Sequence, residues 1–215
     1  MACPHRGRAP EARRPPGDPW SRIGDASTPA DATLLSTIAT LEDQERSLVF
    51  TRFDNDDAWL AMEKIYAAEG ARAIGVSNFL QEHLDTLLAA TTVVPAVNQI
   101  ELHPTFQQTA LAAKSRALGI AVEAYSPLGQ GADLNAAAVT SLAQKRGATP
   151  AQVVLGWHLG IGNIVIPKST HLNRMSENLA AAEITLDRDE LDAITALDAG
   201  ARIGTDPAEA AHTQM

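Results

Sequence analysis

The sequence predicts an α/β protein with a parallel sheet, on three observations. From Ala58 onward, short β-branched runs alternate with amphipathic segments of helical period. The strand-like runs are apolar at successive positions, as strands covered by helices on both faces are. Each run also meets small polar or charged residues near its C-terminal end. With 215 residues, 45% hydrophobic and 20% charged, the chain is long enough to bury one substantial core.

The elements follow in order. "AWLAMEKIYAAEG" places Trp59, Met62 and Tyr66 at helical spacing, with Gly70 as the expected C-terminal cap. "ARAIGV" is a short strand ending at Ser77-Asn78, and Asn78 is a candidate cap for the next helix. That helix, "LQEHLDTLLAA", carries Leu80, Leu84, Leu87 and Leu88 on one face. "PAVNQIEL" is a second strand, "QQTALAAKSRALG" a helix closing on Gly119, and "IAVEAY" a third strand. "AAAVTSLAQKRG" is a helix ending on Gly147. In "TPAQ", Thr149 is the N-cap, Pro150 the first helical residue and Gln152 the partner of a capping box. "NIVIP" is the fourth strand. A helix over roughly 172–182 and a last one in "LDRDELDAITAL", capped by Asp187 and Glu190, complete the series. The remaining acidic residues there, with Glu190, read as a solvated face.

Charge separates the first residues from the rest. The chain carries a net −9, but residues 1–22 are net +3, so the body is strongly acidic, which argues against a nucleic-acid partner. "APEARRPPGDP" has no apolar core of a signal peptide and reads as a disordered tail. Cys3 is the only cysteine, so a disulfide framework within the chain is excluded, and a cytoplasmic location is the expectation. No run approaches the ~18 apolar residues of a membrane span. The histidines show no metal-ligand spacing. "GIG" at Gly160–Gly162 precedes a strand and lacks a third glycine, so it is no dinucleotide fingerprint.

The strand ends share one feature. Ser77-Asn78, Asn98-Gln99, Tyr125-Ser126 and Lys168-Ser169 fall at or near the ends of the four strands, where a β/α barrel builds its site. Four such endings in succession point to a ligand-lined rim.

"GVSNF", "VNQIELHP", "EAYSPLGQG" and "IPKSTHLNRMSEN", in this order and spacing, resemble the signatures of the aldo-keto reductases, in particular the bacterial diketo-gluconate reductase-like branch. The resemblance covers about 58–198 and implies a (β/α)8 barrel that reduces an aldehyde or ketone to an alcohol with NADPH. It implies that Ser77, Asn78 and Gln99 bind the nicotinamide carboxamide and that Tyr125 stacks on its ring. Ser126, Leu128 and Gln130 would line the pyrophosphate. Lys168, Ser169 and Arg174 would hold the adenosine 2′-phosphate, a dianion suited to a lysine and an arginine fork, and Glu177 and Asn178 would meet the adenine. His103, in "ELHP", reads as a structural loop residue.

Such enzymes draw an aspartate, a tyrosine, a lysine and a histidine from the first half of the barrel. No segment before Ala58 matches, and Val49, Phe50 and Thr51 stand where the histidine is expected. The expectation is therefore a partial barrel of about four to five strands over 58–215, following an atypical, largely disordered segment over 1–57 with one helix in "DATLLSTIATLEDQ". No catalytic residue is assigned, and an NADP(H)-binding or partner-dependent fragment without activity is the alternative. Open strand edges would favour self-association. A small carbonyl compound is the expected substrate.

Overall fold

The computed structural model describes residues 56–210 of the chain. The expectations for the N-terminal tail, the helix near residues 31–44 and a fifth strand near residue 49 lie outside the described residues. Asp57–Arg72 and the chain from Ala73 onward fall in different compact units.

The first described element is α1 (Asp56–Ala67). Within it, the Trp59 indole donates to Glu63 Oε1 at 3.0 Å, an i,i+4 pair along one face. Its end differs from the expectation. The left-handed residue is Glu69, at φ 58°, while Gly70 donates its N–H to Ile65 O at 2.9 Å. Gly70 is thus the residue beyond the left-handed position, where a Cβ would stand 3.0 Å from Ile65 Cγ2.

The second unit is built on a four-stranded, wholly parallel sheet in sequential order: β1 (Val76–Ser77), β2 (Val97–Glu101), β3 (Ala121–Tyr125) and β4 (Ile164–Val165). Helices α2 (Gln81–Ala90), α3 (Thr109–Ala117), α4 (Ala137–Arg146), α5 (Pro150–Gly160), α6 (Leu172–Ala180), α7 (Arg188–Thr195) and α8 (Pro207–Ala210) follow the strands. This is the expected α/β architecture and is consistent with part of a (β/α)8 barrel. The outer strands are shorter than their sequence runs because pairing is limited to two positions each: Val76 and Ser77 face Asn98 and Gln99, and Ile164 and Val165 face Glu123 and Ala124.

Residues 73–210 form their core around α5. Val153, Val154, Leu155 and Trp157 are all buried, and Gly156 allows Ile184 to approach so closely that a Cβ would lie 3.0 Å from its Cγ2. The capping box starts this helix as its sequence requires: Gln152 N donates to Thr149 Oγ1 and Thr149 N to Gln152 Oε1. Asn78 does not cap α2. It is left-handed, at φ 57°, and Leu80 is the N-cap, with its N–H donated to His83 Nδ1 at 3.1 Å. Glu190 corrects a second expectation. It is buried at 3% exposure, because Lys145 and Arg146 at the end of α4 both reach its carboxylate. Their hydrogen bonds hold its pKa down to about 2. Its other role, in the Asp187 cap, is as anticipated.

Candidate functional site

The first three strands bring their polar ends together. The Ser77 hydroxyl donates to Gln99 O at 2.9 Å, and Asn78 N donates to the same carbonyl at 2.8 Å. The Tyr125 hydroxyl donates to Asn78 Oδ1 at 3.1 Å, tying the end of β3 to the end of β1. Gln99 gives an amide hydrogen to Glu123 Oε1, its register partner on β3, which leaves its carbonyl oxygen for another donor. Burial first, then the neighbouring Glu101 carboxylate, raise the Tyr125 pKa. The phenol is thereby held as a hydrogen-bond donor.

Asn98, adjacent in sequence to Gln99, has a different task. Fully buried, it donates to Phe79 O at 2.9 Å and accepts from Phe79 N at 3.4 Å, which fixes the chain leaving β1. Its pleat position, opposite in direction to that of Gln99, was the available signal for a structural role.

A cleft of about 880 Å³ runs between the loop after β3 and the start of α6. It is lined by Ser126, Leu128 and Gln130 on one side and by Lys168, Ser169, Arg174, Glu177 and Asn178 on the other. Eight of the twelve expected cofactor residues therefore share one cleft. The other four, Ser77, Asn78, Gln99 and Tyr125, are the strand-end cluster, joined to the cleft by the Tyr125-Ser126 peptide. Neither Lys168 nor Arg174 has a salt-bridge partner among the described residues.

The loop after β3 is tightly turned. Ser126, Gly129, Gln130 and Gly131 all have positive φ. At Gly129 the requirement is also steric, since a Cβ would lie 2.6 Å from Asp133 Oδ2. The loop is held from below by His158 on α5. His158 Nε2 lies 3.0 Å from Pro127 O, so this nitrogen carries the proton, and burial lowers the ring's pKa to about 4. The histidine is neutral at ordinary pH. Asn163 contacts the other nitrogen and accepts from Arg116.

A second buried group lies beside this loop. His103 stands between Asp133 and Glu101, at 2.8 and 3.3 Å, and all three side chains are at most 2% exposed. The structural role expected for His103 rests on these partners. They come from sites 2 and 30 residues away, and only the first was adjacent in the motif. Among the described residues no cluster of histidine, cysteine and carboxylates could hold a metal ion, and no helix is long and apolar enough to cross a membrane.

Residues 38–199 match the model of the aldo/keto reductase family. Over 136 residues the chain is 49% identical to an aldo-keto reductase of Mycolicibacterium smegmatis, covering 63% of this chain and 50% of the relative. It is 44% identical over 163 residues to morphine 6-dehydrogenase of Pseudomonas putida, covering 70% and 55%. A solved structure of a Gox0644 variant in complex with NADPH superposes with a TM-score of 0.68 at 44% identity, over 71% of this chain and 56% of that one. The Bombyx mori aldo-keto reductase in complex with NADP gives 0.64 at 33% identity, over 68% and 51%. The chain spans about half the length of the curated relatives it matches.

Proposed function

The chain belongs to the aldo-keto reductase family, and on that premise we propose that residues 58–215 form an NADP(H)-binding unit whose family reaction is the reduction of a small aldehyde or ketone. The observation that carries this reading is the convergence of Lys168, Ser169 and Arg174 with Ser126, Leu128 and Gln130 on one cleft. Two cations without salt-bridge partners among the described residues, beside hydroxyl donors, fit a phosphomonoester, and Glu177 and Asn178 add the donor and acceptor groups that an adenine edge needs. The NADPH and NADP complexes of the two structural neighbours support the same choice.

At the other end, Asn78 and Gln99 offer amide groups to a carboxamide, and Tyr125 offers a ring face. When bound, the nicotinamide supplies the hydride. The residues of this chain orient that ring and shield it from water. Reduction also needs a proton donor for the carbonyl oxygen. Tyr125 is unsuited to that task, because burial and Glu101 raise its pKa and its hydrogen is already given to Asn78. This favours a second reading, cofactor binding with little or no turnover by the chain alone.

Fluorescence titration with NADPH and NADH tests the first reading, with tighter binding of NADPH expected. Equal weak binding of the two would overturn it. A steady-state assay of NADPH oxidation with a reactive aromatic aldehyde separates the two readings. Turnover near that of the curated relatives would exclude the second.

A further inference from the structure

We propose that His103 is a positioning residue that couples the segment beside Tyr125 to the loop after β3 through Glu101 and Asp133. The inference rests on the NADP(H) reading and adds a coupling that the cleft residues do not themselves provide.

Both ring nitrogens of His103 face carboxylate oxygens: Nδ1 lies 2.8 Å from Asp133 Oδ2, and Nε2 lies 3.3 Å from Glu101 Oε1. A carboxylate accepts hydrogen bonds, so both contacts are satisfied only when each nitrogen carries a hydrogen. The imidazolium is therefore the form that this site holds. Burial opposes the charge, but the hydrogen bonds to Asp133 and Glu101 outweigh it and leave the pKa above 6.5. Asp133 is lowered reciprocally: desolvation opposes its charge, while His103 and Thr105 favour it. The other charged or titratable groups near this chain are Arg202, which lies 3.7 Å from Glu101, Tyr125 on β3, and His158 on α5, whose protonation His103 disfavours.

Each carboxylate holds one of these two segments. Glu101, the last residue of β2, is paired in register with Tyr125. Its side chain accepts from Ile203 N at 2.6 Å and from Gly204 N at 3.1 and 3.0 Å. Those bonds press residues 203–204 toward Tyr125: a Cβ on Gly204 would stand 2.6 Å from Glu101 Oε2 and 3.9 Å from the Tyr125 hydroxyl. Asp133 accepts from the Thr105 hydroxyl at 2.8 Å and seats Gly129, in the loop that lines the cleft. One buried ring thus joins the strap beside Tyr125 to the loop that would meet the pyrophosphate. Loss of either ring hydrogen releases one carboxylate and loosens one of the two segments.

Two substitutions divide the ring's functions. His103→Asn keeps a donor near the Nδ1 position and so the Asp133 arm. His103→Gln keeps one near Nε2 and so the Glu101 arm. The probes are NADPH, which spans the groove, and adenosine 2′-monophosphate, which has no 5′-phosphate to meet the loop after β3 and requires only the Lys168 and Arg174 end. In the full chain each variant is expected to bind NADPH about tenfold more weakly or worse, from loss of a charge-assisted contact. Its affinity for adenosine 2′-monophosphate should stay within about twofold of the parent. The parent's NADPH affinity is expected to fall as pH rises through the His103 pKa, and both variants should lose that dependence. Nitrogen-15 NMR of the unsubstituted chain supplies a test independent of variant folding. Two protonated ring nitrogens at pH 6, deprotonating in step with the loss of NADPH affinity, support the coupling. A neutral ring at pH 6, or parental NADPH affinity and pH profile in both variants, overturns it. Failure of adenosine 2′-monophosphate to bind the parent overturns instead the cofactor reading beneath it.

Discussion

The two ends of the groove are built on opposite principles. At the strand ends, Ser77, Asn78, Gln99 and Tyr125 already hydrogen-bond to one another, to backbone or to Glu123, and Asn98 fastens the chain leaving β1 through Phe79. At the far end, Lys168 and Arg174 are exposed and have no salt-bridge partner among the described residues. A neutral, planar ligand group is best met by side chains fixed in advance, since little ordering remains to be done on binding. A phosphate can be met by mobile cations, because charge attraction depends weakly on exact geometry. Removing a residue at the first end should therefore damage the fold, and removing one at the second should damage only affinity.

The severest expected break in that contrast is Asn98→Ala. It removes two buried hydrogen bonds, to the Phe79 N–H and to the Phe79 carbonyl, at a cost of roughly 1 to 3 kcal/mol for the two together. Denaturant unfolding of the full chain should show a loss in that range. A loss under about 0.5 kcal/mol would mean that Phe79 finds other partners and that the strand ends are less fixed than their bonds suggest.

Next is the support of the cleft by His158. The unfolded ring takes up a proton near pH 6.5, while the folded ring resists until about 4. The His158 contribution to stability is therefore complete above about pH 6.5 and falls as pH drops through the window down to 4, by an amount on the order of 3 kcal/mol. His158→Gln can keep a donor to Pro127 without titrating and should flatten that part of the pH profile. An unchanged acid slope in the variant would assign it to other groups.

The far end is tested by Arg174→Ala. The loss of one charge-assisted contact should reduce the preference for NADPH over NADH by about 10- to 100-fold, with unfolding stability within about 0.5 kcal/mol of the parent. Added salt should weaken 2′,5′-ADP binding, since exposed charges are screened over ~10 Å at 0.1 M. Equal loss for both cofactors would place Arg174 away from the 2′-phosphate.

What the sequence made legible follows the same division. Helix starts with local chemistry, such as Thr149-Pro150 with Gln152 and Asp187 with Glu190, were readable because cap and partner lie three residues apart. The cleft residues were readable from a family resemblance that groups them. Long-range partners were not: Glu101 with Ile203 is separated by 102 residues, and Lys145 with Glu190 by 45. Glu190 looked solvated for that reason alone. Asn78 looked like a cap because small polar residues before a helix commonly are. Its left-handed backbone and its bond to Tyr125 are set by the sheet, which no local window contains.

Tyr125→Phe carries the smallest expected effect and the sharpest question. The substitution keeps the ring that would face the nicotinamide and removes only the hydrogen given to Asn78. Such a bond is worth roughly 0.5 to 1.5 kcal/mol, so NADPH affinity should fall by about two- to tenfold. The raised pKa makes this phenol a reluctant acid. Proton donation to a substrate would also require it to leave Asn78, at a point where Glu101 already disfavours the phenolate that donation creates. Any carbonyl turnover by the chain should therefore survive in the variant, at saturating NADPH, within about threefold. Tyr125→Ala, which removes the ring itself, should weaken NADPH further than the phenylalanine does. Abolition of turnover by Tyr125→Phe with affinity unchanged would make Tyr125 the acid after all and would move the strand-end cluster from binding to chemistry.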